Sequence, residues 1–198
     1  MIIFKNLSSA EPYALVKKYY ESAIASEQKV VEAIAISSYS KQNNFVDSRF
    51  VNLKFVDNED FIFFSNYKSP KSIQFESHNQ ISALLYWSSI NVQIRMKGLI
   101  NKTSKEFTET YFKMRSEKKN ALAISSNQSE KIESYQNIIS NYEKVLKTDN
   151  LKKCPDYWGG YFFKPYFFEF WEGHDSRINK RRCFEWKKSE WISFYLEP

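Results

Sequence analysis

Glycine is scarce in this 198-residue chain, at 4 residues, and neither GxGxxG nor GxxxxGK[ST] occurs. The two common phosphate-cradling loops are therefore absent. There are 2 histidines, His78 and His174, far apart in sequence, so no Ser-His-Asp arrangement can be built. The 2 cysteines, Cys154 and Cys183, form no CxxC and have no histidine pair beside them. That spacing argues against structural zinc and suits reduced thiols of a cytosolic protein, with no metal expected. No apolar stretch approaches the ~20 residues of a membrane span, and the run at the start, MIIF, is too short for a signal peptide. The expectation is a soluble, cytoplasmic protein without a membrane partner.

Aromatic residues, by contrast, make up 18% of the chain, and the net charge is 29 − 23 = +6. A basic balance fits nucleic acid, an acidic surface or phosphorylated small molecules. The positive charge is spread along the chain and nothing resembles a helix-turn-helix or an RNP strand, so no nucleic-acid partner is expected. The length fits one domain, 1–198, with an N-terminal helical segment at 1–29 and a distinct C-terminal segment at 151–198.

Residues 11–26 have the pattern of an amphipathic helix, with Ser9 as its cap and Pro12 in the first turn. Strands are predicted at 30–37, 49–56, 61–65, 81–87 and 91–101, with 43–48 a polar loop and 57–60 a turn. The run ISALLYW at 81–87 is continuous enough to be buried on both faces. Pro70 opens a helix through His78, whose place at the helix end suggests a cap. Further helices are expected at 104–115, capped by Ser104, at 117–125 and at 130–147. From residue 151 the chain is β again, with Trp186 and Trp191 flanking a Lys-Lys-Ser-Glu turn. Strands, then helices, then strands indicate an α+β fold with mainly antiparallel strands, not a βαβ sheet.

The densest segment is WGGYFFKPYFFEFWEGHDSRINKRR, 158–182. Its aromatics have strand propensity, and Gly159-Gly160, Pro165 and Gly173 punctuate them like turns or bulges. From Arg177 the pattern alternates, which would put Arg177, Asn179 and Arg181 on one strand face. Guanidiniums beside an aromatic wall suit a planar anion, although core or interface is the plainer role for the aromatic band. Arg49 and Lys54 lie within an otherwise apolar strand. Tyr111 and Arg115, at i and i+4, share a helix face from which phenol and guanidinium could grip one phosphate.

In order, Arg49-x-Val-x-Leu-Lys54, FIFFSNYKSPK (61–71), Gln93 before Gly98, Tyr111-Phe-x-x-x-Arg115, Gln128-Ser129, WGG (158–160) and EFWEGHDSRINKR (169–181) resemble the pyridoxamine 5′-phosphate oxidases. The resemblance spans about Val31 to the C-terminus. It implies an FMN-binding split β-barrel with peripheral helices, homodimeric, whose flavin sites cross the subunit interface and whose C-terminal segment serves dimerisation and the active site. It implies that Arg49, the strand that follows (Phe50, Val51, Asn52), Phe64, Ser65 and Lys71 hold FMN. Gln93, Gln128, Ser129, Trp171 and Arg181 would also contact it, several from the other subunit. Lys54, Tyr111 and Arg115 would grip a vitamer phosphate, while Arg177 and Asn179 would lie over its ring, Arg177 as the catalytic residue. Dioxygen would reoxidise the flavin and leave hydrogen peroxide.

The chain departs from that pattern at four places. Pro70 stands where a second basic residue is usual, Lys119 where a small hydroxyl residue helps hold the substrate phosphate, and Asn179 where histidine is common. Tyr195-Leu196-Glu197-Pro198 lacks the usual arginine. Two rivals remain: a relative oxidising another ring, as the phenazine-biosynthesis oxidases do, and a dimer that holds FMN or pyridoxal phosphate without turnover.

Overall fold

A computed structural model describes residues 1–198. Ten strands form one sheet: β1 (Ile3–Lys5), β2 (Ala33–Ser40), β3 (Phe45–Asn52), β4 (Phe55–Asp57), β5 (Asp60–Asn66), β6 (Gln80–Trp87), β7 (Val92–Lys102), β8 (Trp158–Glu172), β9 (Lys180–Lys187) and β10 (Glu190–Leu196). Five helices accompany them: α1 (Glu11–Ala25), α2 (Pro70–Ser77), α3 (Lys105–Met114), α4 (Glu117–Ser125) and α5 (Tyr135–Thr148). The strand order is β1-β4-β5-β8-β7-β6-β2-β3, with β9 and then β10 branching from β8. All pairings are antiparallel except β1 with β4. The α+β expectation holds.

Strand β8 is the spine. Its first half pairs with β5, its second half with β9, and nearly its whole length with β7. Gly159, Gly160 and Pro165 do not end it. Instead the register slips at Lys97/Gly98, where Lys97 faces Phe167 and Gly98 faces Pro165, leaving Tyr166 as the extra residue of a bulge. A bulge tolerates Pro165, which has no N–H to give to the ladder. Around the spine, Phe61, Phe63, Phe163, Phe168 and Phe170 are among the aromatic residues of one core cluster, to which α1 contributes Tyr13, Val16, Tyr20 and Ala23. Tyr13 meets Phe168 edge-on at 5.2 Å.

Several expectations are corrected. Residues 45–48 are strand, not loop: β3 pairs fully with β2 and lies at the end of the strand order, where Val46, Ser48 and Phe50 alternate onto its exposed face. The strand expected over 49–56 is broken where the chain changes partner. The Leu53 N–H donates to the Glu32 carbonyl at 2.8 Å, while the Lys54 N–H donates to Ile62 at 2.8 Å. Strand β6 alternates rather than burying both faces: Ile81, Ala83, Leu85 and Trp87 are buried and Tyr86 is exposed. Ala10, not Ser9, holds the cap position of α1, with no side-chain hydrogen bond. Helix α5 begins five residues later than expected, at Tyr135, where Ser134 Oγ accepts from the Asn137 N–H at 3.1 Å. His78 is the C-cap of α2, but its backbone N–H closes the turn onto Gln74.

The largest correction concerns 177–181. Strand β9 starts at Lys180, and Arg177 sits before it in a turn at φ 61°, its N–H donating to the His174 carbonyl at 2.9 Å. The Asn179 side chain accepts from the His174 N–H at 3.1 Å. Arg177, Asn179 and Arg181 therefore do not share a strand face.

A Cβ at Gly98 would lie 2.8 Å from the Lys164 backbone oxygen, so Gly98→Ala must displace backbone at the bulge. The expected cost is about 1–3 kcal/mol, seen in urea titration as a lower midpoint with unchanged slope.

Candidate active site

Six elements, β3, β5, α2, α3, α4 and β8, converge on a cavity of about 370 Å³. Phe50, Val51 and Asn52 reach it from the end of β3, and Lys54 from the partner switch that follows. Phe64 and Ser65 come from β5, and Lys71 from the first turn of α2. Tyr111, Arg115, Lys119 and Leu122 descend from α3 and α4, while Gln128 and Trp158 close it. Eleven of these residues were anticipated from sequence. Leu122 and Trp158 were not, although Trp158 begins the WGG signature.

The aromatic wall is ordered. Phe64 stacks on Tyr111, with centroids 4.0 Å apart at 19°, and on Trp158 at 5.1 Å and 7°. The Arg115 guanidinium lies over Trp158 at 4.4 Å, a cation–π contact that holds it flat. Glycine at 160 permits this stack, since a Cβ there would come within 3.1 Å of the Phe64 ring and 2.5 Å of Thr103 Oγ1.

Electrostatically the cavity is one-sided. Lys54, Lys71, Arg115 and Lys119 line it, and no carboxylate does. None of the four makes a salt bridge. Lys71 is 7% exposed. Its ammonium donates to Ser65 Oγ and Ser69 Oγ at 3.1 Å and to Gln128 Oε1 at 3.2 Å, all neutral acceptors. Burial, reinforced by the positive charge of Arg49 and opposed by Asp47, pushes Lys71 down to about 8. Burial also lowers Lys54; Glu32 opposes that shift, and Lys119 and Arg115 add to it. The Arg115 Nη1 is buried without a hydrogen-bond partner, while its Nη2 donates to the Lys119 carbonyl at 3.2 Å. An anion seated here would meet unpaired donors and excess positive charge.

The other anticipated residues lie elsewhere. Arg49 braces α2 from behind, donating to Ser38 Oγ at 2.6 Å and Gln74 Oε1 at 3.0 Å and pairing with Asp47. Ser129, at φ 71°, faces a neighbouring recess with Asn127. Gln93, Trp171 and Arg181 are consecutive cross-strand partners on β7, β8 and β9. Together with the Arg177–Asn179 turn, they are absent from the cavity wall. A single chain thus places the residues expected at the site in two separate sets.

Residues 158–198 match the family model described as the pyridoxine 5′-phosphate oxidase C-terminal dimerisation region. The chain is 30% identical over 194 residues to the pyridoxine/pyridoxamine 5′-phosphate oxidase of Leptospira interrogans, covering 96% of this chain and 90% of that protein. It is 31% identical to the enzyme of that name from Colwellia psychrerythraea, covering 96% and 88%. Among solved structures it is similar to PhzG from Burkholderia lata 383 in complex with tetrahydrophenazine-1-carboxylic acid, with a TM-score of 0.88 and 22% identity over 95% of this chain and 93% of that one. A pyridoxamine 5′-phosphate oxidase-related, FMN-binding protein from Nostoc punctiforme superposes at a TM-score of 0.79, with 12% identity over 96% and 99%. The split-barrel architecture is shared with both.

With Lys71 titrating near 8, anion binding requires its protonated form and weakens as pH rises. Affinity for sulfate, which does not titrate in this range, should fall about tenfold between pH 7 and pH 9. Lys71→Arg should flatten the profile in calorimetric titrations; a flat profile in the unmodified protein would exclude Lys71 from the anion seat.

Proposed function

The chain belongs to the pyridoxine/pyridoxamine 5′-phosphate oxidase family, and from that premise we propose that it is an FMN-dependent oxidase of phosphorylated B6 vitamers. In the proposed reaction, pyridoxine 5′-phosphate and dioxygen give pyridoxal 5′-phosphate and hydrogen peroxide; pyridoxamine 5′-phosphate additionally consumes water and releases ammonia. The observation that supports this reading most directly is the cavity's four unpaired cations beside an aromatic wall, which suits two planar rings bearing phosphates.

FMN, when bound, would accept the hydride and pass the electrons to dioxygen, so the protein needs no acid–base triad. The residues present fit that group: buried Lys71, with its neutral partners, offers an ammonium to a phosphate, and Ser65 and the end of β3 offer polar atoms around it. Lys54, Arg115 and Lys119, with the Tyr111 phenol, form a second cationic seat for the vitamer phosphate. Lys119 supplies a charge where relatives of the pattern use a hydroxyl, which strengthens the preference for a dianion.

The second set, Gln93, Trp171 and Arg181, completes the site when a second copy brings its own row to the cavity, making the protein a homodimer with interfacial sites. The exposed Arg177 has no salt-bridge partner, and its left-handed backbone is strained, by about 1–2 kcal/mol. We assign it to orient the vitamer and stabilise charge developing at the reacting carbon, with Asn179 bracing the turn beneath it. No helix is long and apolar enough to cross a membrane, and we place the enzyme in the cytoplasm.

Flavin-loaded protein should release peroxide with both phosphorylated vitamers. Protein that takes up no FMN would sink the enzyme assignment, whereas flavin binding without peroxide would turn it toward another ring substrate or a carrier. Arg177→Ala should lower turnover by roughly 10²–10³-fold at unchanged flavin content. Flavin loss in that variant would show that Arg177 is misassigned.

A further inference from the structure

Glu169 is 2% exposed in the second half of β8, in the segment otherwise dominated by aromatic side chains. Its two oxygens are shared between two arginines from the flanking strands. Oε2 accepts from Arg95 Nη2 on β7, and Oε1 accepts from Arg181 Nε on β9 at 2.8 Å. Arg181 Nη1 donates in addition to the Glu197 carbonyl at 2.8 Å. Two of the three guanidinium nitrogens of Arg181 are thus held, one by a buried carboxylate and one by the chain's last residues. Its Nη2 makes none of the hydrogen bonds in the structure, and its backbone partner across the ladder is Trp171. Holding Nε and Nη1 fixes the guanidinium plane as well as its position. Without the carboxylate, Arg95 and Arg181 would be like charges facing the same buried site.

We infer that Glu169 is a positioning residue for the flavin site: it acts through Arg181, presenting that guanidinium in one orientation. This rests on the reading that Arg181 contacts FMN. Arg95 is the second guanidinium on the shared carboxylate. Its Nη2 is held by Glu169 Oε2, and we assign it to neutralise and anchor Glu169. A residue that only supported the barrel would affect cofactor binding through Arg95 and Arg181 alike.

The test is a double-mutant cycle on FMN affinity, measured by quenching of flavin fluorescence as apo-protein is titrated in, well below each variant's unfolding midpoint. Glu169→Gln and Arg181→Met should each weaken FMN binding by about tenfold, and the double variant should be no weaker than Arg181→Met alone. Arg95→Met should lower the unfolding midpoint yet leave FMN affinity within about threefold. If Glu169→Gln does not fold, Glu169→Asp, which keeps the charge on a shorter arm, takes its place in the cycle. Additive losses in the double variant, or full FMN affinity in the Glu169 variant beside a weakened Arg181→Met, would overturn the inference. Normal FMN binding by Arg181→Met would instead remove Arg181 from the flavin site, and the premise with it.

Discussion

Four positive side chains face one cavity with no carboxylate among them, and much of the structure serves to hold them there. The cost is clearest at Lys71. A drop from 10.5 to about 8 corresponds to about 3 kcal/mol against the charged form. Below pH 8 the folded chain bears that cost in full, because the ammonium is protonated in both folded and unfolded states. As pH rises through 8 toward 10.5 the lysine deprotonates in the folded state and the cost is relieved. An anion relieves it without deprotonation, so occupancy of the cavity and stability of the fold are linked.

A strained electrostatic arrangement needs a rigid frame, and the aromatic residues supply it. The parallel stack of Tyr111, Phe64 and Trp158 joins α3 to β5 and β8, fixing the helix that brings Arg115 and the strand that brings Ser65. The change of partner between Leu53 and Lys54 turns the chain from β2 to β5 at the cavity edge, placing Asn52 and Lys54 on the same wall although their strands pair differently. Strand β8 extends from this stack at Trp158 to the Trp171–Arg181 pair at its far end, so one element joins the cavity wall to the second set of expected residues.

Most secondary structure was legible because it rests on local signals: Ser104 before its helix, Pro70 at a first turn, and Trp186 opposite Trp191 across a tight hairpin. What escaped depends on partners distant in sequence. The run at 43–48, with four polar residues, looks like a loop until β2 is known to lie beside it. The break after Asn52 has no cause within RFVNLKFV, since it reflects two carbonyls outside that run, Glu32 upstream and Ile62 on the next strand. Eleven cavity residues were found through the ordered motifs, but Leu122 carries no polar chemistry and left no signal. Alternation placed Arg177 on a strand with Arg181; the His174 and Asn179 side chains, which build a turn there instead, override it.

The same contrast sorts the chain's cations by role. Arg49 is paired with Asp47, Arg181 with Glu169, and Arg182 with Glu11. In each case a carboxylate fixes a guanidinium against a neighbouring element: α2 behind the cavity, the strands beside β8, and α1 over the sheet. Lys54, Lys71, Arg115 and Lys119 have no such partner. Carboxylates near the cavity would neutralise the positive field, and lengthening the aromatic wall would not restore it. Acidic side chains therefore pair with arginines that brace an element, and none forms an ion pair with a cavity cation, although Glu32 and Asp47 act on Lys54 and Lys71 from a distance. By this criterion Arg49, expected from motif order to touch the flavin, acts first as a brace that sets α2 and Lys71. Its positive charge also helps lower Lys71, so it acts on the cavity without lining it.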